Sequence, residues 1–166
     1  SITSRETMQQ KQQWNLSTMR KLYEDDKSLE AERNLASQFE TKWKCKLNKL
    51  PISYHLDYIA TRNEHCEFFN ETTERAVSFI ELKCRTCKHD AFDTYMLALS
   101  KLVKAKELSQ ITGLPSFLGV EWSDRIGFVR LNTCQSQLGI GGRKDRKDWQ
   151  DIEPVVHIPI YQFNYL

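Results

Sequence analysis

The chain has 166 residues, of which 40% are hydrophobic and 28% are charged, and its formal net charge at pH 7 is +2. A chain of this size forms one hydrophobic core of ordinary extent, so we expect one globular domain. The composition argues against an intrinsically disordered protein, and the small net charge does not by itself indicate any partner. No run of about 18 apolar residues is present, so the sequence predicts no membrane span.

The five cysteines are irregularly spaced. Such spacing is typical of free thiols in a reducing compartment rather than of a disulfide framework. The first residues also lack the apolar core of a secretory signal. The sequence therefore predicts a soluble, cytoplasmic protein.

Residues 1–28 are polar and rich in glutamine, with scattered apolar side chains. We expect a helical arm here, which either packs on the body of the protein or joins two copies in a homodimer. Residues 29–166 are predicted to form the domain itself. Its first element is an amphipathic helix over 29–47, because apolar residues recur there every four positions and a proline follows. These residues are Leu35, Phe39, Trp43 and Leu47.

After Pro51 the apolar period changes to two. This alternation predicts a strand from Ile52 through Asp57 to Ala60. The polar stretch 61–75 is predicted to be a loop or an irregular hairpin. The remaining elements are predicted to be a strand, a helix, two strands, a mobile glycine-containing loop and a strand, at residues 76–83, 92–112, 117–122, 126–131, 139–151 and 155–160. This order is typical of an α/β fold with a mixed central sheet flanked by helices.

Glu81 and Lys83 are two positions apart on the second predicted strand, so their side chains share one face of it and Leu82 points to the other. Charged groups at core positions are costly unless they are paired or bound to a metal. Asp57 lies in the same way at the end of the first predicted strand. If the two strands are neighbours, Asp57 and Glu81 meet, and the pKa of one of them is raised.

Carboxylate oxygens at one point suit Mg²⁺ or Mn²⁺. The pattern therefore predicts a metal site formed by Asp57 and Glu81. Lys83 would orient a water molecule or offset the negative charge that develops on a phosphate. The alternative is an exposed strand end at which the acid and the lysine form only a salt bridge.

An acid that is followed, after a gap, by acid-x-lysine at a strand end resembles the PD-(D/E)XK motif of restriction-endonuclease-like nucleases. Here the motif is Asp57, then 23 intervening residues, then Glu81-Leu82-Lys83. The resemblance covers roughly residues 30–131 and is closest to small phage-encoded nucleases. Leu56 stands where the motif has its proline.

The resemblance implies a restriction-endonuclease-like core and divalent-metal-dependent hydrolysis of phosphodiester bonds in DNA, with Mg²⁺ or Mn²⁺ as the cofactor. For a phage-encoded chain it implies action in the host cytoplasm. Many members of the superfamily carry a further glutamate on the helix before the motif. Here it is Glu40 or Glu32, and Glu40 is favoured as a catalytic residue because it is nearer to the Asp57 strand. A nuclease-fold module that binds DNA or a protein without cutting, and a small interaction protein, are the alternatives.

Basic residues cluster around Trp43, beside the acid-lysine motif, and after the glycines of the predicted loop. Such clusters suit the phosphate backbone of DNA, although lysines at helical spacing also occur on plain solvated faces. The predicted phosphate contacts are Lys42, Lys44, Lys46, Arg85, Lys101, Arg143 and Lys144. The pair Cys84 and Cys87 does not predict a zinc site, because no second matched pair completes four ligands.

Overall fold

The computed structural model describes residues 26–142 and 152–166. Of the predicted helical arm, residues 1–25 lie outside the described residues. The chain divides into two compact units between Asn34 and Leu35. Residues 26–43 are helical (α1), with 26–34 in the first unit and 35–43 in the second. Within the described residues, no helix combines the length and the apolar character that a membrane crossing requires.

The other elements all belong to the second unit. They are β1 (Lys46–Lys49), β2 (Tyr58–Cys66), β3 (Glu71–Cys84), β4 (Thr94–Ala98), α2 (Leu99–Thr112), β5 (Ser116–Glu121), β6 (Ile126–Arg130), β7 (Gln137–Gly142), β8 (Ile152–Pro159) and β9 (Asn164–Tyr165). Short 3-10 helices lie at Ile52–Tyr54 and Ile160–Gln162.

Six strands form a mixed sheet in the order β1-β2-β3-β5-β6-β9. Strands β3 and β5 are parallel, and the other neighbours are antiparallel. A parallel pair requires a long crossover, which β4 and α2 provide here. The predicted α/β fold with a mixed central sheet is confirmed.

Both faces of the central sheet are apolar, as expected for a sheet covered on two sides. On one face, residues of α1 pack against alternate residues of β3, among them Leu35, Phe39, Ile80 and Leu82. On the opposite face, residues of α2 pack against β3 and β5, among them Leu102, Ala105, Phe79, Leu118 and Val120. The alternation along β3 therefore directs Glu81 to the α2 face, since Ile80 and Leu82 point to the α1 face.

A second, three-stranded sheet in the order β4-β8-β7 was not predicted. The helix predicted over residues 92–112 is wrong in its first part, because Tyr95 and Leu97 are buried on one side of strand β4 and Met96 is exposed on the other. The helix starts at Leu99 and ends, as predicted, at Gly113. Residues 139–142 of the predicted mobile loop belong to β7, and residues 143–151 lie outside the described residues.

Two predicted boundaries near the N-terminus are also wrong. The first helix does not continue to residue 47, because Lys44 has a φ of 53° and the chain turns there into β1, in which Leu47 is buried. The predicted strand from Ile52 is a 3-10 helix, and the extended segment starts only at Tyr58. The polar stretch 61–75 forms most of the β2–β3 hairpin, one of the two predicted alternatives.

Gly119 of β5 lies where an added methyl group has no room. A Cβ atom at this position would be 2.7 Å from Phe39 Cζ and 2.8 Å from Leu82 Cδ2. We expect Gly119→Ala to lower the free energy of unfolding in urea by about 1–3 kcal/mol, because the Phe39 ring must move. Adding Phe39→Leu should make the combined loss smaller than the sum of the two single losses. Additive losses would contradict this assignment of the clash.

Candidate active site

The register of β2 and β3 places Asp57 beside Glu81. Tyr58 pairs with Ile80 in the antiparallel ladder, so Asp57, one residue earlier, lies opposite Glu81. The Asp57 Oδ2 atom accepts a hydrogen bond of 2.8 Å from the backbone amide of Leu82. This bond to the neighbouring strand fixes the orientation of the carboxylate. The two acids therefore lie together at the point where the sequence predicts a metal site.

The Glu81 side chain has no exposed surface. Its Oε1 atom is 3.4 Å from the Lys83 ammonium nitrogen and 3.2 Å from that of Lys101 on α2. Neither carboxylate oxygen has a partner in hydrogen-bond geometry within residues 26–142 and 152–166. The two lysines thus offset the charge of the Glu81 carboxylate by proximity.

The pKa of Glu81 is raised from its ordinary value of 4.5. Burial is the largest cause and the negative charge of Asp57 is the second, while Lys83 and Lys101 oppose the rise. A net rise means that the folded surroundings disfavour the charged carboxylate despite the two cations. The expected raised pKa in the carboxylate pair is confirmed for Glu81.

Two lysines connect this pair to its surroundings. Lys101 donates a hydrogen bond to the backbone carbonyl of His55, in the turn that leads into Asp57. It therefore joins α2 to Glu81 and to the turn before Asp57, a role that the predicted phosphate contact did not include. Lys49 of β1 lies 3.5 Å from Asp57 Oδ1, a contact that no pattern in the sequence indicates.

A cleft of about 370 Å³ opens beside Lys83. Arg85, Ser100 and Lys101 line it as well, and Glu153 of β8 is the acidic residue among its described lining. The structure therefore brings Arg85 and Lys101, two of the predicted phosphate contacts, to the same cavity as Lys83. A cavity with this excess of cations attracts a phosphate backbone.

Three of the other predicted phosphate contacts line different grooves. Lys42 and Lys44 line a groove near Asp124, and Lys44 and Lys46 line another near Glu40. Arg143 and Lys144 lie outside the described residues. Contacts of these five residues with DNA stay a prediction. Any DNA contact made by Lys42 or Lys46 would lie outside the cleft beside Lys83.

Glu40 makes a contact that the sequence did not indicate. Its carboxylate accepts a hydrogen bond of 2.9 Å from the backbone amide of Leu47, at the start of β1. Leu47 pairs with Ala60 of β2. Ala60 follows Asp57 by three residues, so the two are roughly 10 Å apart at strand spacing. This bond fastens α1 to the sheet. A role for Glu40 or Glu32 at the metal stays a prediction.

A second group of ligand-type atoms lies elsewhere in the described chain. Atoms of His89, Asp90 and Asp124 lie within 4.8 Å of one another. Both oxygens of Asp124 are already bonded to His89, to its backbone amide at 2.9 Å and to its ring Nδ1 at 2.6 Å. These bonds lower the pKa of Asp124. They also link the loop after β3 to the turn between β5 and β6. Among the described residues, Cys84 and Cys87 form no disulfide bond.

The chain matches a known family over most of its length. The family model is described as "Phage putative PDDEXK endonuclease", and it matches residues 18–166. The chain belongs to this family. It is thus a nuclease of the PDDEXK type, and the resemblance on which the sequence analysis rests is confirmed.

Among solved structures, one similar chain is the Hjc protein of Archaeoglobus fulgidus, a Holliday junction resolvase from an archaeal hyperthermophile, determined at 1.6 Å resolution. The superposition has a TM-score of 0.46 and 14% sequence identity, and it covers 78% of this chain and 82% of that chain. No match was found among curated proteins.

Glu81→Gln removes the buried charge and keeps the size of the side chain. Because the pKa of Glu81 is raised on folding, the wild type loses stability as the pH rises from 4.5 through that raised pKa. We therefore expect metal-free Glu81→Gln protein to melt at a higher temperature than the wild type at pH 7. The advantage should disappear below the ordinary pKa, where Glu81 is protonated in both states.

The control for this melting experiment is Glu107→Gln. Glu107 is an exposed residue of α2 that pairs with Lys104 at 3.6 Å. Neutralising it should change the melting temperature little at any pH, because exposed pairs contribute little. A lower melting temperature of Glu81→Gln at pH 7 would show that the two lysines outweigh burial.

Proposed function

We propose that this nuclease is a divalent-metal-dependent DNA endonuclease whose active site consists of Asp57, Glu81 and Lys83. The observation that carries the proposal is a fully buried carboxylate without a hydrogen-bond partner among the described residues, placed opposite a second carboxylate. Buried polar atoms in a merely structural role are almost always hydrogen-bonded. The ion pairs to Lys83 and Lys101 both involve Oε1, and the buried Oε2 has no hydrogen-bond partner among the described residues, which leaves it open to a cation.

The donor set fits Mg²⁺ or Mn²⁺, both of which prefer carboxylate oxygens. Glu81 would offer Oε2, and Asp57 would offer Oδ1, which has only the long 3.5 Å contact with Lys49, since its Oδ2 accepts the hydrogen bond of the Leu82 amide. The raised pKa of Glu81 fits a carboxylate pair whose charge is balanced by a cation. Such an ion supplies Lewis-acid polarisation of a phosphate and a lower pKa of a bound water.

The residues of the chain itself supply the rest of the chemistry. The Lys83 ammonium, on the wall of the cleft, would donate to an oxygen of the cleaved phosphate and stabilise its charge in the transition state. Lys101 fixes Glu81 from α2, and its bond to the His55 carbonyl limits its own motion. In the reaction a water oxygen forms the new bond to phosphorus, and the ester P–O bond breaks.

Arg85 is suited to a neighbouring phosphate. It lines the same cleft as Lys83 and follows it by two residues, or roughly 7 Å along an extended chain. A guanidinium pairs with phosphate oxygens through two parallel hydrogen bonds. DNA as the substrate is supported by these cations and by the endonuclease family.

Glu81→Gln and Lys83→Met should each lower the cleavage rate by about 100-fold or more, because each removes an electrostatic contribution to the transition state. Cleavage of plasmid, single-stranded and branched DNA would be measured with Mg²⁺, with Mn²⁺ and with a chelator. The controls are Glu107→Gln and Lys104→Met, which alter an ion pair of the same type on α2 and should cut normally.

Wild-type rates in Glu81→Gln or Lys83→Met would remove these residues from the active site. DNA binding by the wild type without cleavage under any metal condition would favour the alternative function, a nuclease-fold module that only binds. Binding by Glu81→Gln in the presence of Ca²⁺ should survive, because the cationic wall of the cleft is unchanged.

Arg85→Ala should weaken DNA binding and reduce the slope of log affinity against log salt concentration by about 1, the value for one lost phosphate contact. Arg75→Ala is the matched control, because Arg75 is exposed on the β2–β3 hairpin and pairs there with Glu64. Binding would be titrated at several salt concentrations. An equal slope for wild type and Arg85→Ala would place the phosphates elsewhere.

A further inference from the structure

A second cavity, of about 310 Å³, lies next to the cleft. Arg85 and Met96 line both cavities, so the two share a wall. The second cavity therefore adjoins the position that we propose for the phosphate beside the cut. We call it the aromatic pocket.

The walls of the aromatic pocket combine rings with cations. Tyr95 and Trp122 are buried, with ring centroids 6.2 Å apart at an interplanar angle of 83°, and Phe92 is 70% exposed. The Arg85 guanidinium lies 5.2 Å from the Tyr95 ring centroid, and Lys88 lines the pocket as well. Phe92 is thus the exposed ring that can stack on a base, and such a ring next to cations that pair with phosphate is what single-stranded nucleic-acid sites use.

Tyr95 lines this pocket, and its hydroxyl is buried beside the Arg85 guanidinium. The residue is 5% exposed, and its hydroxyl has no partner in hydrogen-bond geometry among residues 26–142 and 152–166. Burial raises the pKa of Tyr95 to about 12, although Arg85 is close enough to oppose the rise. The hydroxyl therefore keeps its proton, and a ligand that shifts the Arg85 side chain would change its surroundings.

The pocket is already held in shape without a ligand. Asp124 accepts hydrogen bonds from the His89 backbone amide and contacts its ring nitrogen, which fixes the ring in the pocket wall. On another side, His157 contacts the Thr94 hydroxyl at 3.2 Å. Side chains that are locked by their neighbours bind with little loss of conformational entropy.

We propose that the aromatic pocket holds an unpaired nucleobase of the DNA substrate, from a nucleotide next to the cleaved phosphate. A base inside a duplex is stacked on both sides and cannot enter such a pocket without leaving the stack. The substrate is therefore DNA with a single-stranded or branched segment at the cut. This inference rests on the proposed function, which places the cut beside Lys83. The alternative occupant is an aromatic side chain of a partner protein. It would suit the apolar walls, but it would offer no phosphate to Arg85 and Lys88.

The test is a scan of abasic sites in a branched DNA with a single-stranded flap, one nucleotide at a time on both sides of the cut. Binding would be measured in Ca²⁺, and cleavage of the same DNA in Mg²⁺ or Mn²⁺. We expect one or two positions beside the cut at which an abasic site weakens wild-type binding by roughly 10-fold or more, since one base is no longer stacked.

Two variants link this effect to the pocket. Phe92→Ala should weaken binding to intact DNA and make the abasic site nearly neutral, because both changes remove the same contact. Tyr95→Phe removes only the hydroxyl and should weaken binding several-fold while the protein melts normally. The matched controls are Phe68→Ala and Tyr161→Phe, which alter residues that are 87% and 79% exposed and do not line the pocket.

Cleavage by the wild type with no sensitive position in the scan would overturn the pocket and leave the proposed function standing. Normal DNA binding by Phe92→Ala and Tyr95→Phe would also overturn the assignment of the pocket to a nucleobase. This holds as well if the two variants lose binding to a protein partner while DNA binding stays normal. If the wild type cleaves in neither metal, the proposed function is overturned. The pocket then cannot be placed relative to a cut either.

Discussion

The burial of the Glu81 carboxylate inside the central sheet is the constraint on which the whole site depends. A charge in this position is costly, and Lys83 and Lys101 offset it only in part, because the pKa of Glu81 is still raised. Asp57 increases the cost by placing a second negative charge opposite the first. Two adjacent acids held at this cost support the proposed metal site.

The topology brings the cations and the rings to this point. Because β3 and β5 are parallel, the chain must cross over between them, and the crossover is made by β4 and α2. Helix α2 carries Lys101 to Glu81, and β4 carries Tyr95 into the aromatic pocket. The pairing of β4 with β8 then adds Glu153 and His157 to the two cavities. The same crossover thus contributes residues both to the surroundings of Glu81 and to the wall of the aromatic pocket.

The local pattern of the sequence predicts part of this site, and long-range pairing decides the rest. The period of two along β3 shows that Glu81 and Lys83 share a face. The contact of Lys101 with Glu81 has no signal in the sequence, since no spacing relates a helix to a strand that it covers. The sequence predicts helix at β4, because Tyr95 and Leu99 are four residues apart, which is a helical period. The segment is extended because it pairs with β8. The positive φ of Lys44, which ends α1, has no signal in the sequence either.

We propose that Asp57 and Glu81 together bind a divalent cation. An anomalous difference map from a crystal soaked in Mn²⁺ tests this without any substrate, because it locates the ion. We expect a peak between the carboxylates of Asp57 and Glu81 in the wild type, and none there in Glu81→Gln. A peak only at the group of His89 and Asp124, or the same peak at Asp57 in both proteins, would contradict it.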